Sequence, residues 1–151
     1  MPHTLILGYG NTLRGDDGAG RVAAERLQAI VRDPNVEILS LHQLTPDLMV
    51  NLSRADHAVF IDASATGRPG GYVCLPVYPA PVCGQFTHHA SPETLLAGSH
   101  SLYGRCPEAT LYLIPGEEFE LSDQLSSVVQ AAVGQLVAHL AESLQTAIVQ
   151  L

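Results

Sequence analysis

No apolar run in this sequence approaches the ~20 residues that a helix needs to cross a bilayer. A secretory signal is missing too: the early stretch "TLILGYG" is short, soon interrupted, and lacks a basic flank and a small-residue cleavage site. These absences lead to the expectation of a soluble, cytoplasmic protein. Basic residues are scarce, with 7 Lys and Arg against 15 Asp and Glu and a formal net charge of -8. That balance argues against broad electrostatic binding to nucleic acid or to an anionic membrane, both of which require clustered cations. It favours a basic protein segment as macromolecular partner. The three cysteines, Cys74, Cys83 and Cys106, are odd in number and have no CxxC spacing, so neither a disulfide framework nor a zinc knuckle is suggested. Three familiar hydrolytic devices are lacking as well: a GxSxG elbow, an HExxH helix, and a cysteine with a histidine at motif spacing.

What is present is a well-provisioned core. Hydrophobic residues make up 46% of the 151 positions and charged residues 15%, which fits one globular domain spanning residues 1–151 rather than a disordered chain. A monomer is the favoured expectation. Apolar runs alternate with amphipathic ones as in a three-layer α/β/α domain. Strands are expected at Thr4–Leu7, at "VEILSL", at "HAVFIDA" and at "ATLYLIPG". A further strand, "GYVCLPVYP", follows the third after too short a connection for a parallel crossover and contains Pro76, so it is expected to be antiparallel or at an edge.

Helices are expected from Ala19 to about Val31 and over "TPDLMVNLSRA", the latter opened by Thr45 as cap and Pro46 in the first position. Another covers "SPETLLAGSHSLYG", with Ser91 as cap and Gly104 as stop. The last begins near Ser122 and places Leu125, Val129, Ala132, Leu136, Leu140 and Leu144 on one stripe. The predicted fold is a five-stranded, mostly parallel mixed sheet with one antiparallel edge-type strand and helices on both faces. In such a sheet, ligands bind beyond the carboxyl ends of the parallel strands, where the strand order reverses. Two places satisfy that rule: the loop from Gly8 to Gly20, and Asp62 at the end of the third strand.

The loop reads "GYGNTLRGDDGAG". Its glycines suit a tight turn, yet Asp16 and Asp17 stand where a phosphate would bind in a nucleotide-binding domain and would repel it. The spacing Gly8, Gly10, Gly15 also departs from GxGxxG. Asp16 reads as a helix cap, with orienting a water or holding Arg14 as its other readings. Asp17, facing Asp62 from a neighbouring strand end, reads as half of a cation site, because two close carboxylates need a proton or a cation between them. Of the seven histidines, His88 and His89 in "FTHHASPETLL" lie in the loop ahead of a capped helix, suited to supply an imidazole. Two carboxylates and one imidazole suit a divalent first-row metal such as nickel or zinc, with open positions remaining.

With these motifs assembled, the sequence resembles the hydrogenase maturation endopeptidases. Their opening signature, a strand followed by GxGNxLxxDDGxG or its DE version, is matched by "GYGNTLRGDDGAG" at every fixed position. An apolar strand ending in Asp-Ala is matched by "HAVFIDA", and a His followed by Ser and an apolar helix by "HHASPETLL". The resemblance implies an endopeptidase that trims the C-terminal extension from a NiFe hydrogenase large-subunit precursor once nickel is in place. It further implies that nickel comes with the substrate and is not a permanent cofactor. Asp17, Asp62 and His88 would be both the catalytic and the metal-contacting residues. Many relatives carry Glu where this chain has Asp17. Two other readings stay open at this point: a non-catalytic partner or chaperone of the immature subunit, and a nucleotide-binding Rossmann-like domain.

Overall fold

The structure is a computed structural model that describes residues 2–81 and 90–149. Its elements follow the hydrophobic pattern closely. Strands β1 (Thr4–Tyr9), β2 (Val36–Leu41), β3 (His57–Ser64), β4 (Val73–Val77) and β5 (Glu108–Pro115) form one sheet in the order β2-β1-β3-β5-β4. Parallel pairing joins β1 to β2, β1 to β3, and β3 to β5, while β4 runs antiparallel along β5 at the edge. This is the expected α/β architecture, including the antiparallel edge strand. The chain leaves β1 for β2 on one side and returns to β3 on the other, so the order reverses between β1 and β3.

Alternate residues of β1 feed two different cores, as the period-2 geometry of a strand requires. Leu5, Leu7 and Tyr9 join Phe60 in a core covered by α2 (Leu48–Arg54) and α3 (Pro92–Tyr103). Ile6 joins Ile61 and Ile114 in a core covered by α1 (Ala19–Ile30) and α4 (Ser127–Val149). Phe60, Leu52, Leu95 and Leu136 are among the fully buried side chains, each contributing roughly 1.5–3 kcal/mol relative to an exposed position. The stripe predicted for the last helix, Val129, Ala132, Leu136 and Leu140, is the buried one. No helix among the described residues is long and apolar enough to cross a membrane.

The start of α3 is as predicted. Ser91 and Thr94 form a reciprocal capping box, Pro92 opens the helix, and Gly104 closes it in the left-handed region at φ 72°. Two other helix starts differ from expectation. Helix α2 begins at Leu48 rather than at Thr45: the backbone carbonyls of Thr45 and Pro46 accept from the amides of Leu48 and Met49 in a lead-in turn, and Thr45 provides no side-chain cap. Helix α4 begins at Ser127 rather than near Ser122, because Ser122 is drawn into a bridge with Arg14 on the glycine loop.

Candidate active site

The glycine loop brings backbone segments closer than any side chain would allow. A Cβ on Gly20 would lie 2.2 Å from the carbonyl oxygen of Ile61, so only glycine lets α1 start against the end of β3. Gly10, at φ 148°, would place a Cβ 1.9 Å from the carbonyl oxygen of Asp17, so the 3-10 turn Gly15–Gly18 folds directly back over the loop. In that position the Asp17 carboxylate accepts the amide of Asn11 at 2.9 Å, and the Asn11 side chain in turn accepts the amide of Leu13 at 2.9 Å. Asp17 is thereby aimed over the carboxyl end of β1 by the loop's own backbone.

Asp62 occupies the next strand. It is half-buried on β3, opposite Leu113 of β5. Burial pushes its carboxyl pKa up to about 6, and the charge of Asp17 pushes in the same direction; hydrogen bonding from the Tyr9 hydroxyl and the Ala63 amide opposes the rise without cancelling it. The Tyr9 phenol is held far above its ordinary range, first by burial and then by the neighbouring Asp62 and Glu93. Glu93 lies in the first turn of α3, so that helix begins on the same side of the sheet as Tyr9. The charge of Asp17 thus reaches Asp62, where burial disfavours a negative charge. Asp62 sits inside β3, two residues before its end at Ser64, rather than at the strand end expected.

His88 and His89 lie outside the described residues, just ahead of the Ala90 that packs against the α2 and α3 core. Among the described residues, no three His, Cys, Asp or Glu side chains converge in a way that could hold a metal ion. His42 follows β2 at the same end of the sheet as the glycine loop, next to Leu41, whose carbonyl accepts the Gly10 amide, whereas His3, His57 and His139 lie elsewhere. His57 faces Glu108 at 3.7 Å, with Asp56 close by accepting the His3 amide at 2.7 Å, at the opposite end of the sheet. His139 packs against the rings of Tyr72 and Tyr112.

Asp16 departs from its expected role. It makes no helix cap; its side chain is 0% exposed and fastens two distant segments. One carboxylate oxygen accepts the amides of Glu117 and Glu118 at 2.9 and 3.0 Å and the Ser126 hydroxyl at 2.8 Å, and the other accepts the Ser126 amide at 2.7 Å. Burial would raise its pKa, but these donors outweigh it and hold the carboxyl below the usual range. With its oxygens committed in this way, Asp16 acts as a clamp. Sequence reading missed Ser126 and Tyr9 as contributors. Tyr9 carried a signal, since it follows Leu5 and Leu7 on the alternation of a buried strand that ends at the site.

No protein-family model matches the sequence, and no curated protein does so significantly. Solved structures do match. The fold is shared with the NiFe hydrogenase maturation protease HycI from Thermococcus kodakarensis KOD1, with a TM-score of 0.78 and 25% identity over 95% of this chain and 92% of that one. The hydrogenase maturating endopeptidase HybD from E. coli superimposes with a TM-score of 0.77 and 25% identity, covering 96% and 93% of the two chains. The hydrogenase 2 maturation peptidase from Thaumarchaeota archaeon SCGC_AB-539-E09 gives 0.71 and 25%, covering 95% and 98%. The resemblance read from the three sequence motifs thus extends to the whole architecture, and this fold supports a processing endopeptidase role.

Proposed function

We propose that this chain is an endopeptidase that removes the C-terminal extension of a NiFe hydrogenase large-subunit precursor after nickel insertion. The observation that supports the reading is a fold shared with hydrogenase maturation proteases over nearly its full length, with the charge of Asp17 acting on half-buried Asp62 near the point where the strand order reverses. In this reading Asp17, Asp62 and His88 contact nickel already seated in the substrate, which makes completion of the metal centre a condition for cleavage. The pair is suited to such a check. Burial and the nearby charge of Asp17 both disfavour the ionised form of Asp62, and a cation beside it would offset that penalty.

Hydrolysis requires a water whose oxygen bonds to the scissile carbonyl carbon while the C–N bond breaks and the departing nitrogen takes a proton. A divalent ion held by two carboxylates and an imidazole, with open positions, polarises such a carbonyl and acidifies a bound water. The contribution of this chain is to aim Asp17 through the Asn11 amide and to keep Asp62 half-buried beside Tyr9.

A cleavage assay on purified large-subunit precursor, with and without nickel loaded, tests the reading. Shortening of the nickel-loaded precursor alone is the expected result. Equal cleavage of both forms would remove the nickel check, and no cleavage of either by folded protein would favour a non-catalytic partner of the immature subunit.

A further inference from the structure

Beside the carboxylate pair, two loops are joined into one surface. The Gly15 amide donates to the Ser122 carbonyl at 2.9 Å, the Ser122 amide to the Leu13 carbonyl at 3.0 Å, and the Asp16 amide to the Glu118 carbonyl at 2.8 Å. The buried Asp16 carboxylate adds its bonds to Glu117, Glu118 and Ser126. Loops secured by so many hydrogen bonds could have turned their apolar side chains inward. Instead Leu121 is 89% exposed and Leu13 is 60% exposed. They stand on the two facing segments, each one residue before the bridge between Arg14 and Ser122. Around them are the exposed carboxylates of Glu117, Glu118, Glu120 and Asp123, against the single guanidinium of Arg14 on these segments.

We infer that this surface docks a cationic segment of the precursor polypeptide that also carries apolar side chains, and that it holds the substrate while Asp17 and Asp62 engage the cleavage region. The inference rests on the processing role proposed above. Large apolar side chains displayed on an ordered scaffold and rimmed by charge are the mark of an interaction surface, with the apolar anchors supplying affinity and the charged rim steering encounter. The sign of the rim selects the partner. Nucleic acid and anionic lipid would be repelled. A second copy of this chain, which has no lysine and a net charge of -8, would set the same acidic loops against each other in a two-fold contact. Position fits as well: Leu13 is bonded through its amide to Asn11, whose own amide holds Asp17, so the surface borders the carboxylate pair.

The test is the binding of full-length protein to nickel-loaded precursor, read by biolayer interferometry at low and moderate salt, alongside the KM and kcat of cleavage. The variants are Leu13→Ser with Leu121→Ser, and Glu117→Gln with Glu118→Gln and Glu120→Gln. Loss of the two leucines is expected to weaken binding about tenfold or more and to raise KM with kcat unchanged. Neutralising the glutamates is expected to weaken binding at low salt and to flatten its salt dependence. Unchanged binding and KM in both variants would overturn the docking surface while cleavage by the unaltered chain left the processing role standing. Precursor binding that weakens in the variants, but without cleavage by the unaltered chain, would keep the surface and remove the peptidase. A wild-type dimer in sedimentation that dissociates in the leucine variant would reassign the patch to a second copy and overturn the proposal, as would failure of the unaltered chain to bind the precursor.

Discussion

The carboxylate of Asp16 holds Ser126 twice, through its amide at 2.7 Å and its hydroxyl at 2.8 Å, across 110 positions of sequence. The same carboxylate collects the amides of Glu117 and Glu118, so a single side chain fixes the entry to α4 and the loop that leaves β5. Asp16→Asn would turn an amide NH2 or a weaker carbonyl toward donors that expect a charged acceptor. A loss of roughly 3 kcal/mol in urea unfolding is expected at neutral pH, against about 1 kcal/mol for Ser126→Ala, which keeps the amide bond. Since the folded pKa of Asp16 is depressed, its stabilisation is present above the unfolded carboxylate pKa, near 3.9, and is lost as the pH falls through the folded value. The gap between wild type and Asp16→Asn should therefore close in acid.

Gly20 and Gly71 give a matched pair of alanine substitutions. At Gly20 the added methyl meets the carbonyl oxygens of Ile61 and Tyr9 at 2.2 and 2.7 Å, both on the backbone of central strands that cannot yield. At Gly71 nothing lies within 4 Å. Gly20→Ala is expected to cost about 3 kcal/mol or more and to reduce activity by displacing α1 from the carboxylate pair. Gly71→Ala should stay within about 0.5 kcal/mol of wild type. Equal stability of the two variants would show that the close approach of α1 to β3 is not what the glycine provides.

Much of this was legible in the sequence because it was local. Period-2 and period-3.6 patterns located the strands and helices, the short connection and Pro76 placed β4 at an antiparallel edge, and Ser91 with Gly104 bounded α3. Asp17 and Asp62 could be assigned to one end of the sheet because the rule for strand ends turns sequence order into position. The role of Asp16 was hidden because its partners are mainly backbone amides more than a hundred residues away, which leave no residue-type signature. The late start of α4 has the same origin: local propensity favours a helix from Ser122, but bonds from Ser122 to Leu13 and Gly15 hold that turn in the loop.

Asp17→Asn and His88→Ala are both expected to abolish cleavage of nickel-loaded precursor while leaving thermal unfolding near that of wild type. Asp17 is half-buried in a loop, and its bond to the Asn11 amide can be kept by the asparagine carbonyl, so the charge is what the substitution removes. Full cleavage by either variant in a gel-shift assay would remove that residue from the proposed set. Asp17→Glu offers a finer measurement, since it keeps the charge and lengthens the side chain by one methylene. Retained but slower cleavage is expected, because the ligand oxygen moves by about one bond length against a fixed partner at Asp62.

Asp62→Asn should separate stability from activity. Its folded pKa, raised to about 6 by burial and by Asp17, lies above the unfolded value near 3.9. The protonated form is therefore favoured by folding: the contribution is fully present below about pH 4, declines as the pH rises, and is gone above the folded value. At pH 7 to 8 the wild type carries an ionised, half-buried carboxylate facing a second one, which the neutral amide of asparagine relieves. Asp62→Asn is expected to be more stable than wild type by on the order of 2 kcal/mol at pH 8, with the gain shrinking to nothing by about pH 4, and to be inactive on the precursor. Urea unfolding of both proteins across that pH range measures the first part, and the cleavage assay the second. A variant less stable than wild type at pH 8 would mean that the hydrogen bonds from Tyr9 and Ala63 outweigh burial and repulsion at Asp62. The carboxylate would then be part of the structural framework, with no electrostatic demand left for a cation to meet.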